Sequence, residues 1–266
     1  MHYGAMNFPV LPVLEEIDLV AAMGFDYLEL AMDAPMAHHG IIAANRTAIV
    51  HALQANGLGL ICHMPTFVST ADLTESIRLA SVTEMRRSLE VAFDLGAAKI
   101  VLHPSMAAGL GAFVGGRIKA YAHDFLAEMV EAAQQMRLTI CLENMFPRYM
   151  LGVQPADLEE IFTSFPSLKL TLDTGHAHID DPGEGRMLQL VEQFGSRIAH
   201  LHFSDNHGRR DEHLAVGRGT VDFTGLVRRL QAIGYDDTIT LEVFEPDRQL
   251  LIDSRDRIRA MFSDGE

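Results

Sequence analysis

Cysteine is scarce in this 266-residue sequence, with Cys62 and Cys141 the only two. Both stand inside apolar runs, the setting of reduced core thiols rather than of a disulfide scaffold, so a cytoplasmic protein is expected. Cationic residues are few as well. Lys and Arg number 21 against 36 Asp and Glu, a formal net charge of −15. A field of that sign repels polyanions and anionic lipid, so neither nucleic acid nor membrane is an expected partner. No uninterrupted apolar run approaches about 18 residues, the length a transmembrane helix needs. The opening Met1-His2-Tyr3-Gly4 lacks the basic start of a secretory signal. No G-x-G-x-x-G turn follows the first candidate strand, which removes the main marker of an open dinucleotide-binding sheet. No linker, repeat or low-complexity tract divides the chain, and residues 1–266 are expected to form one domain.

What the sequence does contain is a recurring unit: a short apolar run, a turn, and a segment of helical period. Candidate strands are 2–6, 27–31, 58–63, 99–103, 138–143, 169–173, 198–203 and 238–243. Several are continuously apolar, as strands buried on both faces should be. The clearest helix is 79–95, where Leu79, Val82, Met85, Leu89, Ala92, Phe93 and Leu95 recur at helical spacing. Gly24, Gly57, Gly96 and Gly234 follow helical segments as left-handed stops. Eight strands alternating with about eight helices predict an α/β fold, a single (β/α)8 TIM barrel, in preference to an open doubly wound sheet. The Gly- and Ala-rich loop 104–116 reads as either a lid or a solvated connection.

The polar residues fall in a pattern. Leu60-Ile61-Cys62 runs into His63, Ile100-Val101-Leu102 into His103, Ile140-Cys141-Leu142 into Glu143, and Leu170-Thr171-Leu172 into Asp173. Ala199-His200-Leu201 runs into His202, and Ile239-Thr240-Leu241 into Glu242. In a (β/α)8 barrel the C-terminal strand ends share one rim, and that rim carries the active site. Each residue alone has a structural explanation, such as a rim hydrogen bond or a helix cap. Crowded at one mouth, uncompensated carboxylates and imidazoles would repel or neutralise one another, and a cation removes that cost. His with carboxylate and no thiolate suits Zn²⁺, Mn²⁺ or Fe²⁺.

Two further segments extend the set. Asp173-Thr174-Gly175-His176 puts a carboxylate and an imidazole on one strand-to-loop turn. Asp211 and His213 would share a face if their loop is extended, and Gly217-Arg218-Gly219 after them reads as a flexible element. His200 is expected in the barrel interior. His38, His39, His51, His123, His178 and His207 stand off the strand ends and are expected at the surface or behind the site.

These residues resemble the xylose isomerase-like TIM-barrel superfamily, which includes sugar and sugar-phosphate isomerases and epimerases and the endonuclease IV type of nuclease. The resemblance runs through most of the chain. It rests on His63-Met64-Pro65, Leu102-His103-Pro104, Leu142-Glu143-Asn144, Leu172-Asp173-Thr174-Gly175-His176, His200-Leu201-His202-Phe203-Ser204-Asp205, Asp211-x-His213 and Leu241-Glu242. It implies one divalent ion, Zn or Mn, on Glu143, Asp173, His202 and Glu242. It also implies that Glu143 and Glu242 move a substrate proton while His176 touches the sugar. The nuclease type implies up to three ions, with His63, His103, His176, Asp211 and His213 added to those four ligands. The chain departs from the nuclease at Gly175 (usually Cys or Ser), at Ser204 (usually Asn) and at Thr66, where a DNA-probing aromatic belongs.

The expected function is therefore a divalent-metal-dependent isomerase or epimerase of a sugar, sugar phosphate or related polyhydroxy compound, working through a metal-stabilised enediolate. Arg218 and Asn144 would help bind the substrate. The alternative is an endonuclease IV-like phosphoester hydrolase, and a non-catalytic metal-stabilised binding module ranks third. A homo-oligomer is left open by the sequence.

Overall fold

The structure is a computed structural model that describes residues 1–107 and 109–263; Ala108, in the loop read as a lid or connection, and the final three residues lie outside it. Eight parallel strands close into a barrel in sequence order, and the first pairs with the last. They are β1 (His2–Met6), β2 (Tyr27–Ala31), β3 (Gly59–His63), β4 (Ile100–Leu102), β5 (Ile140–Glu143), β6 (Lys169–Asp173), β7 (Ile198–Phe203) and β8 (Thr238–Leu241). Helices α1 (Val13–Ala22), α2 (His39–Ala44), α3 (Arg46–Asn56), α4 (Glu75–Leu95), α5 (Gly115–Met136) and α6 (Pro155–Ser164) pack outside it. After them come α7 (Thr174–His178), α8 (Gly185–Phe194), α9 (Phe223–Ala232) and α10 (Gln249–Ser263). The fold is thus the expected single (β/α)8 barrel. Among the described residues no helix is long and apolar enough to cross a membrane.

Strands β3 and β5 begin later than the apolar runs suggest, because the helix stops claim the first residues. Leu58 N–H donates to Leu53 O at 2.9 Å and Leu138 N–H to Ala133 O at 2.9 Å, so both close the preceding helix instead of entering the ladder. Gly57 and Arg137 take the left-handed φ of these stops, 66° and 60°. In α4 the helical period is right but the buried stripe is narrower than the apolar residues suggest. Met85, Leu89 and Ala92 are buried together with Ser81 and Ser88, whereas Leu79 and Phe93 face solvent. Small hydroxyl residues let this long helix approach its neighbours where the pattern shows no hydrophobe.

The two faces of the sheet differ in chemistry. Alternate residues such as Leu28, Leu30, Leu60, Ile100, Leu102, Leu142, Leu170, Leu172, Leu201 and Leu241 pack outward with the helices in one continuous apolar cluster. The positions between them point into the barrel. There the apolar cluster is small (Tyr27, Ile61 and Val101), and Glu29, Thr171, His200, His202 and Thr240 are fully buried polar neighbours. Such barrels usually fill this space with branched aliphatic side chains. Here the interior is a polar floor beneath the C-terminal rim.

Gly4 of β1 makes room for that floor. A Cβ at Gly4 would lie 2.1 Å from the Tyr27 ring, which is held by a 2.9 Å hydrogen bond between its hydroxyl and Thr240 Oγ1. Overpacking of this kind costs about 1–3 kcal/mol. Gly4→Ala is expected to destabilise the protein by that amount in a denaturant titration, and an unchanged midpoint would show that the ring can move aside.

Candidate metal centre

Parallel register brings the strand ends to one level. Glu143 and Asp173 close β5 and β6, His202 lies one residue before the end of β7, and Glu242 follows β8. Asp173 pairs with His202 in the ladder, and Glu242 N–H still donates to Phe203 O at 3.1 Å. One ligand-type atom from each of Glu143, Asp173, His202 and Glu242 lies within 4.8 Å of the other three. His202 Nδ1 is 3.4 Å from Glu143 Oε1, 3.7 Å from Asp173 Oδ2 and 3.2 Å from Glu242 Oε2. Those four atoms are buried, yet none makes an aligned hydrogen bond. Leaving buried charged groups without partners is costly, and a shared divalent cation satisfies all four at once. Three carboxylates and one imidazole are a donor set for Mn²⁺, Zn²⁺ or a similar ion, so the residues fit a metal.

The remaining ligand candidates surround this cluster. His63 Nε2 and His103 Nε2 lie 3.3 and 2.9 Å from Glu143 Oε2. His63 Nδ1–H donates to Met64 O at 2.8 Å, which turns Nε2 toward the carboxylate. His176 Nδ1–H donates to Asn144 O at 3.0 Å, leaving Nε2 3.3 Å from Asp211 Oδ2. His213 Nε2 is 2.9 Å from the same oxygen, and Asp211 Oδ1 has no partner among the described residues. His63, His103, His176, Asp211, His213 and Glu242 line a cavity of about 470 Å³; Glu143, Asp173 and His202 sit below it.

Charge pairing sets the ionisation of the cluster. Burial pushes the Asp173 carboxyl up to about 7, reinforced by the charges of Glu143 and Glu242 against the opposing pull of His176. Glu143 is also penalised by burial, but His103 and His202 outweigh that and hold it well below the usual carboxylate range. Burial opposes protonation of His202, yet Glu29 and Glu143 raise it well above the usual imidazole value.

Other expectations from the sequence meet a different geometry. Asn144 is fully buried and its side chain accepts from Asp173 N–H at 2.8 Å and donates to Asp173 O at 3.0 Å. It shapes the strand end rather than facing the cavity. Arg218 is an exposed side chain ion-paired to Glu245, away from the cavity wall. The loop carrying Asp211 and His213 is not extended, since His213 has φ 46°. The two side chains meet because Asp205 and Leu214 bridge backbone to backbone and fold the loop back on itself. Nor is Gly217-Arg218-Gly219 free. Asp205 Oδ2 accepts the N–H of Gly217 at 2.8 Å and of Gly219 at 2.9 Å, and Oδ1 accepts Val221 N–H at 3.1 Å. His178, expected at the surface or behind the site, is buried between Glu184 and Thr220.

Three features escaped the sequence pattern. Glu29 is buried in the middle of β2, its carboxylate 2.8 Å from His200 Nε2 and 2.9 Å from His202 Nε2. A lone acid inside a strand otherwise read as core was the available signal, since such a charge requires partners. Asp205, the anchor of the loop, had no signal beyond its place after a strand. The third feature is an aromatic wall of Phe8, Phe67, Phe146, Tyr149 and Phe244 along the cavity, with Phe67 87% exposed.

Comparison with known proteins places these features in context. The xylose isomerase-like TIM barrel family matches residues 17–261. An uncharacterised protein of Methanocaldococcus jannaschii is 29% identical over 250 residues, covering 91% of this chain and 83% of that protein. The L-ribulose-5-phosphate 3-epimerase of Shigella boydii is 23% identical over 262 residues, covering 93% and 89%. The crystal structure of a D-tagatose 3-epimerase-like protein superimposes with a TM-score of 0.88 at 26% identity, covering 99% of this chain and 98% of that one.

If the four unpartnered atoms hold an ion, metal should stabilise the fold. Chelator-treated protein given Mn²⁺ or Zn²⁺ at about 100 times its dissociation constant should gain about 2.7 kcal/mol. Glu143→Gln should erase that gain while the metal-free protein unfolds cooperatively. A calorimetric midpoint indifferent to both ions would end the assignment.

Proposed function

The chain belongs to the xylose isomerase-like TIM-barrel family, and from that premise we propose that it is a divalent-metal-dependent epimerase of an unphosphorylated ketose or similar polyhydroxy carbonyl compound. The observation that carries this reading is the convergence of Glu143 Oε1, Asp173 Oδ2, His202 Nδ1 and Glu242 Oε2, all buried and without hydrogen-bond partners, on one point below an open cavity. The epimerase names of the relatives support the reaction. The phosphorylated ketose in the name of one of them, L-ribulose-5-phosphate 3-epimerase, does not bear on the choice of a neutral substrate, which rests on the cavity lining.

Glu143, Asp173, His202 and Glu242 would hold the ion, which when bound supplies Lewis-acid polarisation of a substrate carbonyl. Glu242 lines the cavity, and Glu143 lies beneath it. One of these carboxylates takes the proton from the carbon beside the carbonyl, and the other returns a proton to the opposite face of that carbon. Glu242 suits the role of proton acceptor. Burial disfavours its charge, but His213 and His202 outweigh that and keep the carboxyl ionised. His176 lies at the cavity wall with Nδ1 fixed by Asn144 O and Nε2 3.3 Å from Asp211 Oδ2, and this pair together would meet substrate hydroxyls. The aromatic wall gives the C–H faces of a sugar ring or chain something to pack against.

The cavity also discriminates by charge. Among the described residues lining it there is no Lys or Arg, while Asp33, Asp211 and Glu242 are present. A phosphate would find no guanidinium or ammonium group there, only imidazoles and the proposed ion. A neutral sugar is therefore the favoured substrate.

A second reading has its own observation. His63 and His103 meet Glu143 in a separate ligand-type group, a geometry that a hydrolase with two or more ions would use. Metal content separates the two, with one tightly held ion per chain expected for the epimerase and two or three for the hydrolase.

The direct test is incubation of the metal-loaded protein with a panel of ketoses in deuterated water. Deuterium should enter the carbon next to the carbonyl and the epimer should accumulate. Proton transfer by a positioned group is worth about 10²–10⁴-fold, so Glu242→Gln should slow turnover by that factor with little change in fold. Adding a terminal phosphate to the sugar should not raise kcat/KM. Phosphoester cleavage without exchange on any ketose would replace this reading with the second one.

A further inference from the structure

Beneath the ligand cluster, polar side chains continue through the barrel to its opposite mouth, and the proposed reaction does not use them. At the far end Lys99 Nζ donates to Thr238 Oγ1 at 2.9 Å, and it also bonds Ala199 O at 2.6 Å and Asp237 Oδ1 at 2.5 Å. Thr238 Oγ1 is 2.8 Å from His200 Nδ1. His200 Nε2 is 2.8 Å from Glu29 Oε2, Thr240 Oγ1 donates to that same oxygen, and His202 Nε2 is 2.9 Å from Glu29 Oε1. Tyr27 hydroxyl lies 2.9 Å from Thr240 Oγ1. Glu29, His200, His202 and Thr240 are all fully buried.

The direction of each bond follows from the two ends. Lys99 has only donors, so Thr238 receives from it; the Thr238 hydroxyl proton has both His200 Nδ1 at 2.8 Å and Ala199 O at 3.4 Å within reach, and the shorter contact is to His200. Neutral His200 then carries its proton on Nε2 and donates to Glu29. A carboxylate is acceptor-only, so His202 must also present an N–H to it, and that N–H is Nε2. The remaining nitrogen, Nδ1, is the atom that faces Glu143, Asp173 and Glu242. An imidazole held by a carboxylate through one nitrogen is oriented, and made a stronger donor, at the other.

We infer that Glu29 is a positioning residue for the metal: it keeps the proton of His202 on Nε2 and so aims the Nδ1 lone pair at the ion. The inference rests on the metal-dependent reading above and adds to it a residue that touches neither ion nor substrate. Three donors converge on the Glu29 carboxylate. Gln at this position has one oxygen and an NH₂ group, so at least one donor would face another donor, and the negative charge behind His202 would be lost.

Direct titration of metal-free protein with Mn²⁺ and Zn²⁺ tests this without an activity assay. Losing such a partner typically costs about 10–100-fold in metal affinity, and Glu29→Gln should weaken binding by that factor. In the zinc-loaded wild type, long-range proton–nitrogen spectra should show His202 with a slowly exchanging Nε2–H and no proton on Nδ1. In Glu29→Gln that Nε2–H should shift or exchange rapidly. Should the variant not fold, the wild-type spectrum still decides: a His202 whose Nε2 carries no proton overturns the inference. Wild-type affinity in a folded Glu29→Gln protein overturns the role of Glu29 and leaves the metal reading standing. A wild type that takes up neither ion overturns the metal reading and this inference with it.

Discussion

One carboxylate sits at the meeting point of four imidazoles: Glu143 is within 2.9–3.4 Å of nitrogen atoms of His63, His103, His176 and His202. Each of these histidines comes from a different strand end or the loop after it, so the charge of Glu143 draws the rim together across the mouth. The price is electrostatic congestion, with Asp173 and Glu242 crowded against the same point. Burial raises the Asp173 carboxyl while the surrounding imidazoles hold Glu143 down, so neighbouring acids are pushed apart in their preference for protons. A compact positive charge would relieve the three carboxylates at once.

The barrel can carry so many ionisable groups because its stability is located elsewhere. The apolar cluster lies between the outer face of the sheet and the helices, and it draws on nearly every strand. The inner face is relieved of that duty. Polar side chains there satisfy one another in sequence, from Lys99 and Thr238 up to the Nε2 of His202. Unpartnered ligand-type atoms gather instead at the rim, next to the cavity.

How much of this was legible in the sequence depends on the range of the interaction. Strand order and closure followed from alternation of apolar runs with helical segments, a local signal repeated along the chain. The rim residues were legible because each stands at a strand end or within one residue of it, as Glu143, Asp173, His202 and Glu242 do. Glu29 was passed over because Tyr27–Ala31 reads as one buried strand, and its partners His200 and His202 lie 171 and 173 residues away. Asn144 and Arg218 were drawn toward the substrate by their neighbours in sequence. Their hydrogen-bond partners, the backbone of Asp173 and the carboxylate of Glu245, come from other segments and turn them elsewhere. The aromatic wall was equally hidden, since Phe8, Phe67, Phe146 and Phe244 stand far apart in the chain and converge only in the closed barrel.

Asp205 holds the loop after β7 through the backbone amides of Gly217, Gly219 and Val221. Main-chain donors are present whatever side chain a residue bears. The stretch 217–221 can therefore change a side chain such as that of Arg218 while its path stays fixed. The exceptions are Gly217, whose φ of 85° favours glycine, and Gly219, where an added Cβ would lie 2.3 Å from Asn206 O. A segment built this way separates the residues that fix a path from those open to variation.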